Sequence, residues 1–137
     1  MRIVLVGAVF LALVGSAHAA VFMFRTPSGN IGCAFNSDPG FGDIYLRCDI
    51  LSGLKPAPPR PKGCALDWKY GYEMRPTGRA QTVCAGDTAV DRRAKIVAYG
   101  TKWSRGGFTC LSRKIGLRCR NRSGHGFFLS RARSYRF

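Results

Sequence analysis

Six cysteines constrain this chain more than any other feature: Cys33, Cys48, Cys64, Cys84, Cys110 and Cys119 all follow an N-terminal segment that reads as a secretory signal. Arg2 supplies the positive start, Ile3 to Val14 form an apolar run, and Ala17-His18-Ala19 offers small residues to a signal peptidase. Cleavage is expected after Ala19, making residues 1–19 a signal peptide and residues 20–137 a single domain, secreted or periplasmic. The run falls short of the ~20 residues that a transmembrane helix needs, so no membrane span is expected. An even cysteine count in an exported chain reads as three disulfides.

The sequential pairing is the expected one: Cys33 with Cys48, Cys64 with Cys84, Cys110 with Cys119. Its basis is an internal likeness. Gly29-Asn30-Ile31-Gly32-Cys33 leads to Leu46-Arg47-Cys48, and Gly106-Gly107-Phe108-Thr109-Cys110 leads to Leu117-Arg118-Cys119, so each half reads as a hairpin with its arms tied together. Zinc is the competing use of cysteine, but there is no C-x-x-C pair and only one histidine remains after Ala19. No motif calls for a metal or another cofactor.

Where periodicity is clear it has the period of a strand. Ile44, Leu46, Cys48 and Ile50 alternate with Tyr45, Arg47 and Asp49, and Ile31, Cys33 and Phe35 repeat the pattern. Ile115, Leu117 and Cys119 are expected to share an inward face. That leaves Arg118, Arg120 and Arg122 outward, about 6 to 7 Å apart along the strand. Val21 to Arg25, Lys95 to Tyr99, Phe108 to Ser112 and Phe127 to Ser130 are further strands. Helical periodicity is absent, so the expected fold is all-β: a small, disulfide-stapled antiparallel sandwich or barrel-like domain. Lys55 to Lys62, with prolines at 56, 58, 59 and 61, reads as a stiff extended connection inside that domain.

Charge is segregated. Every acidic residue lies at or before Asp91, whereas residues 92–137 carry 13 Lys and Arg, ten of them Arg. Between Ala20 and Asp91 the balance is 8 basic to 7 acidic. Such a cationic segment favours anionic partners. Arginine binds phosphate or carboxylate through a planar fork and stays charged at any relevant pH. The candidate anion-binding residues are Arg113, Arg118, Arg120, Arg122, Arg131 and Arg133, and the expected ligand is an anionic polymer, either an envelope component or nucleic acid. Aromatic rings among these cations, Trp103, Tyr135 and Phe137 included, suit stacked bases. Phe108, Phe127 and Phe128 read as core. An acidic protein partner is a further possibility.

Five segments in order, Thr26 to Cys33 (TPSGNIGC), Arg47 to Ile50 (RCDI), Cys64 to Trp68 (CALDW), Cys84 to Thr88 (CAGDT) and Gly124 to Arg131 (GHGFFLSR), resemble the motifs of a family of small secreted bacterial proteins whose domain has no known function. The resemblance implies export, disulfides and one domain, and it supplies no catalytic residues.

Catalysis is constrained by what is missing. With His18 removed, His125 stands alone, which excludes a mechanism of two imidazoles, and no Ser-His-Asp or Cys-His signature is present. A small ribonuclease needs one carboxylate base, one histidine acid and arginines, which makes Glu73 with His125 the alternative catalytic pair. Gly124-His125-Gly126 otherwise reads as a tight turn. Asp67 and Asp87, each three residues past a cysteine of the expected 64–84 bridge, are a candidate glycosidase pair, with turn and capping roles as the simpler reading. The expected function is therefore a non-enzymatic binding or structural module.

Overall fold

The period-two runs pair into two sheets facing one another across an apolar layer. The computed structural model describes residues 21–137, and the expected signal peptide lies outside the described residues. The first sheet contains β1 (Val21–Arg25), β2 (Ile31–Asn36), β3 (Tyr45–Ile50), β4 (Gly71–Met74), β5 (Gln81–Thr82) and β6 (Lys95–Ile96) in the order β5-β4-β3-β2-β1-β6. The second contains β7 (Lys102–Arg105), β8 (Phe108–Arg113), β9 (Gly116–Arg120), β10 (Gly126–Leu129) and β11 (Ser134–Arg136) in the order β11-β10-β9-β8-β7. This is an all-β sandwich and not a closed barrel.

Every strand pair is antiparallel except β1 with β6, which run parallel. The long excursion from β5 past the 64–84 bridge returns the chain to the far edge of the sheet, where β6 docks on β1 in β1's own direction.

Alternation decides which face is buried. Phe24, Cys33, Phe35, Leu46, Cys48, Tyr72 and Met74 point inward from the first sheet, and Phe108, Cys110, Leu117, Cys119, Phe127 and Leu129 meet them from the second. Trp103 packs against this core, stacked on Phe24 at 4.5 Å and edge-on to Phe35 at 5.6 Å. Phe108 and Phe127 join this core as expected, whereas Phe128, also buried, lies on the opposite face of β10 against Tyr135. Ile115 is not: it is 70% exposed in the β8–β9 turn, because β9 begins one residue later at Gly116. The strand expected over Lys95 to Tyr99 stops at Ile96, since Thr101 and Ala98 close a turn immediately after it.

The disulfides follow the sequential pairing. Cys33 stands opposite Cys48 in the β2–β3 register, with Cα atoms 4.1 Å apart, and Cys110 stands opposite Cys119 in β8–β9 at 4.0 Å. Each bridge therefore joins directly facing residues of a hairpin. The proline segment is fastened down: Trp68 Nε1 donates to the Pro58 carbonyl, Arg60 lies 3.7 Å over the Trp68 ring, and the Ser134 amide donates to the Lys55 carbonyl.

Candidate functional site

Because Leu117 and Cys119 turn into the core, Arg118 and Arg120 must project from the other side of β9, and both are exposed. Register extends that outer face across the sheet. Lys102, Leu111, Arg118, Phe128 and Tyr135 are successive partners on five strands, and Arg120 and Thr109 form the adjacent row. Arg118 lies 3.8 Å over the Phe137 ring, and Arg133 lies over Phe128 and Tyr135 at 5.9 and 5.5 Å. Rings and cations alternate on this surface, so the rings keep the guanidinium planes in place. Arg122 departs from the expected row. It lies beyond the end of β9, with its amide on the Pro76 carbonyl and its side chain against Gly107.

Arg113 and Arg131 meet elsewhere, at the end of the sandwich. They line a concavity of about 440 Å³ with Lys114, Ser28, Asn30 and Tyr99. Arg131 and the Ser28–Asn30 turn are shared with a neighbouring concavity of about 410 Å³ that adds Arg25 and Arg92. Neither lining contains a carboxylate side chain. Arg25 and Arg92 escaped the sequence reading. Arg25 belongs to the charge-balanced part of the chain, and Arg92 sits in a turn with no strand pattern to point it anywhere.

Carboxylates are spent upstream. Arg47 bonds Asp49 and Asp87, Arg75 bonds Asp43 with Glu73 at 3.9 Å, and Arg93 bonds Asp91. Among the described residues, no carboxylate forms an ion pair with any Lys or Arg after Arg93. The cations of the second sheet remain uncompensated.

Residues 5–137 match DUF6636, described as a family of unknown function. The chain belongs to that family. No curated protein and no solved structure matches it.

In this DUF6636 chain the proposed catalytic residues are distributed as follows. His125 closes a five-residue turn in which the Asn121 amide donates to the His125 carbonyl. It is half-buried, with Nδ1 3.3 Å from the Phe137 carbonyl. Gly124 has φ +79°, as the turn requires, whereas Gly126 is needed for space, since a Cβ there would strike the Cys119 carbonyl. His125 lines a cleft of about 740 Å³ with Tyr72, Arg79, Arg136 and the proline segment. Burial raises the Tyr72 hydroxyl above its ordinary pKa, and nearby Arg136 opposes the shift. Glu73 is not in that cleft. With Arg75 it lines an adjoining small depression, which shares Arg79 and Gln81 with the cleft, because Tyr72 and Glu73 point to opposite faces of β4.

Asp67 and Asp87 do line one cavity, of about 330 Å³, together with Arg47 and Asp49. Asp87 is already engaged: hydrogen bonding from Arg47, and then its charge, hold the Asp87 carboxyl below its usual range. Desolvation works to lower the Arg47 guanidinium, but its bonds to Asp49 and Asp87 keep it raised. The amide of Ala89 donates to Asp49 at 2.8 Å, so this cluster clamps the 85–89 loop over the first sheet.

Proposed function

We propose that this protein is a non-enzymatic binding module, a single disulfide-tied domain exported to the periplasm or beyond, which engages an anionic polymer along the outer face of its second sheet. The contact residues are Arg118, Arg120 and Arg133 on the face, with Arg113 and Arg131 at its end. One observation carries this reading: five of the seven acidic residues pair with Arg47, Arg75 and Arg93, and none pairs with a later cation. Three disulfides fit an oxidising compartment. There the available polymers are envelope polyanions and extracellular nucleic acid, and cations that contact phosphates position such a chain without reading its sequence.

Binding of the disulfide-intact protein to a labelled single-stranded oligonucleotide and to an anionic envelope polysaccharide, followed from roughly 50 to 200 mM salt, tests the reading. Affinity should fall by orders of magnitude for a ligand whose charges are neutralised at several points. Salt-independent affinity, or binding to neither polymer, rejects it, and co-purification of an acidic protein on the same face would replace the polymer as partner. The ribonuclease alternative gains no support from geometry, because Glu73 and His125 face different cavities.

A further inference from the structure

We infer that Arg25, Arg92 and Arg131 form a discrete site for a tetrahedral dianion of the phosphate or sulfate class. The three come from distant parts of the chain: the end of β1, the turn before β6, and the β10–β11 turn. They line one concavity with Ser28, Gly29, Asn30 and Leu51.

Two of them are held by tight turns. The Ala94 amide donates to the Asp91 carbonyl around Arg92, and the Ser130 amide donates to the Arg133 carbonyl around Arg131. Ser130 Oγ adds a bond to the Arg133 carbonyl at 2.8 Å and accepts from the Arg133 amide at 3.0 Å, which fixes where Arg131 starts. Arg25 runs back over the β1–β2 turn, its Nη1 4.0 Å from where a Cβ of Gly29 would lie. That turn is itself rigid, with Thr26 N bonded to the Ile31 carbonyl and Gly29 N to the Thr26 carbonyl.

What marks the concavity is like charge with no carboxylate in its lining. A guanidinium carries five N–H donors. Arg25 is half-buried with its Nε lacking a partner, while Arg92 and Arg131 are exposed and bond no acceptor among the described residues. Burying a donor without an acceptor is costly, and gathering like charges adds to that cost. The nearest acid in sequence, Asp91, turns instead to the Arg93 amide and guanidinium. A tetrahedral oxyanion supplies what the concavity lacks: several acceptor oxygens and opposite charge, in the shape that guanidinium forks match. Three positive charges favour a dianion over a monoanion.

The site shares Arg131 with the polymer reading but uses neither Arg118 nor Arg120, so Arg92→Gln and the Arg118→Gln, Arg120→Gln pair distinguish the failure of one from the failure of the other. Thermal unfolding of the disulfide-intact protein is measured with inorganic phosphate or sulfate against chloride at equal ionic strength, and amide shifts are followed by NMR. The expected result is saturable stabilisation by phosphate and sulfate, with shifts focused on Ser28 to Asn30 and Arg131. Arg92→Gln and Arg131→Gln, both at exposed turn positions, should each weaken phosphate binding by about tenfold or more, while Arg118→Gln with Arg120→Gln leaves it unchanged. Dimethyl phosphate, a monoanion, should bind at least about tenfold more weakly than phosphate. Phosphate no better than chloride, unaltered binding by Arg92→Gln and Arg131→Gln, or equal binding of the monoanion would each overturn the inference.

Discussion

The Asp49 carboxylate lies 2.7 Å from Nη2 of Arg47, two residues before it on β3, and only 3% of the Asp49 side chain is exposed. Nε of the same guanidinium donates to the other carboxylate oxygen at 3.2 Å. The Ala89 amide completes the shell, so one acidic residue joins a central strand to the loop that covers it.

Asp49→Ala should therefore be among the most damaging substitutions outside the apolar core. It takes the buried partner from Arg47, leaving that guanidinium only the exposed Asp87, and strips the Ala89 amide of its acceptor, a loss of about 1 to 3 kcal/mol. Denaturant unfolding of the oxidised protein measures it.

Asp87 contributes far less. Its carboxyl is held below the ordinary value of 3.8, first by the hydrogen bond from Arg47. A depressed folded-state pKa means stability that is present above about 3.8 and is lost as pH falls through the folded value. With 79% of the side chain exposed, screening keeps the contribution under about 1 kcal/mol. Thermal unfolding scanned through roughly pH 6 to 2 should show a slightly flatter acid limb for Asp87→Asn than for the parent.

Removing the Cys33–Cys48 bridge as a double alanine variant should cost about 3 kcal/mol, and removing Cys110–Cys119, with its shorter loop, slightly less. Full reduction should unfold the protein, a loss visible in near-UV dichroism.

The two glycines beside His125 should respond differently to alanine. Gly124→Ala meets open space but requires a positive φ, a penalty of about 1 kcal/mol. Gly126→Ala drives a methyl into the Cys119 carbonyl and the Arg120 Cα, so β9 and β10 must separate, with a penalty of about 1 to 3 kcal/mol or more. Unfolding midpoints of the two variants separate these effects.

Arg118→Gln with Arg120→Gln should lower the slope of log affinity against log salt by roughly 0.7 to 0.9 for each phosphate that is no longer neutralised. An equal slope in the variant would remove these residues from the interface. Anisotropy titration at several salt concentrations gives the number.

Half-buried strands were legible in the sequence because their burial is one-sided. Leu46, Cys48 and Ile50 announce β3, and Leu117 and Cys119 announce β9, each alternating with residues that stay outside the central layer. Edge strands carry no such signal. β5 is two residues long and β11 places Tyr135 and Arg136 outside, so both read as loop until their neighbours are known. At the site, Arg113 and Arg131 were evident from a segment without acids. Arg25 was hidden, because it comes beside Arg131 only when the β1–β2 turn is brought to the β10–β11 turn, a proximity no local pattern encodes.

The hairpins β2–β3 and β8–β9 are each cross-linked at directly opposed positions, while no bridge connects one sheet to the other. When the layers part under oxidising conditions, the chain separates into two closed rungs whose strand alignment is already decided. A one-residue slip, which would turn every inward side chain outward, is forbidden in both. The denatured ensemble is then more compact than a free coil, and renaturation becomes the docking of two pre-aligned ribbons instead of a search for partners.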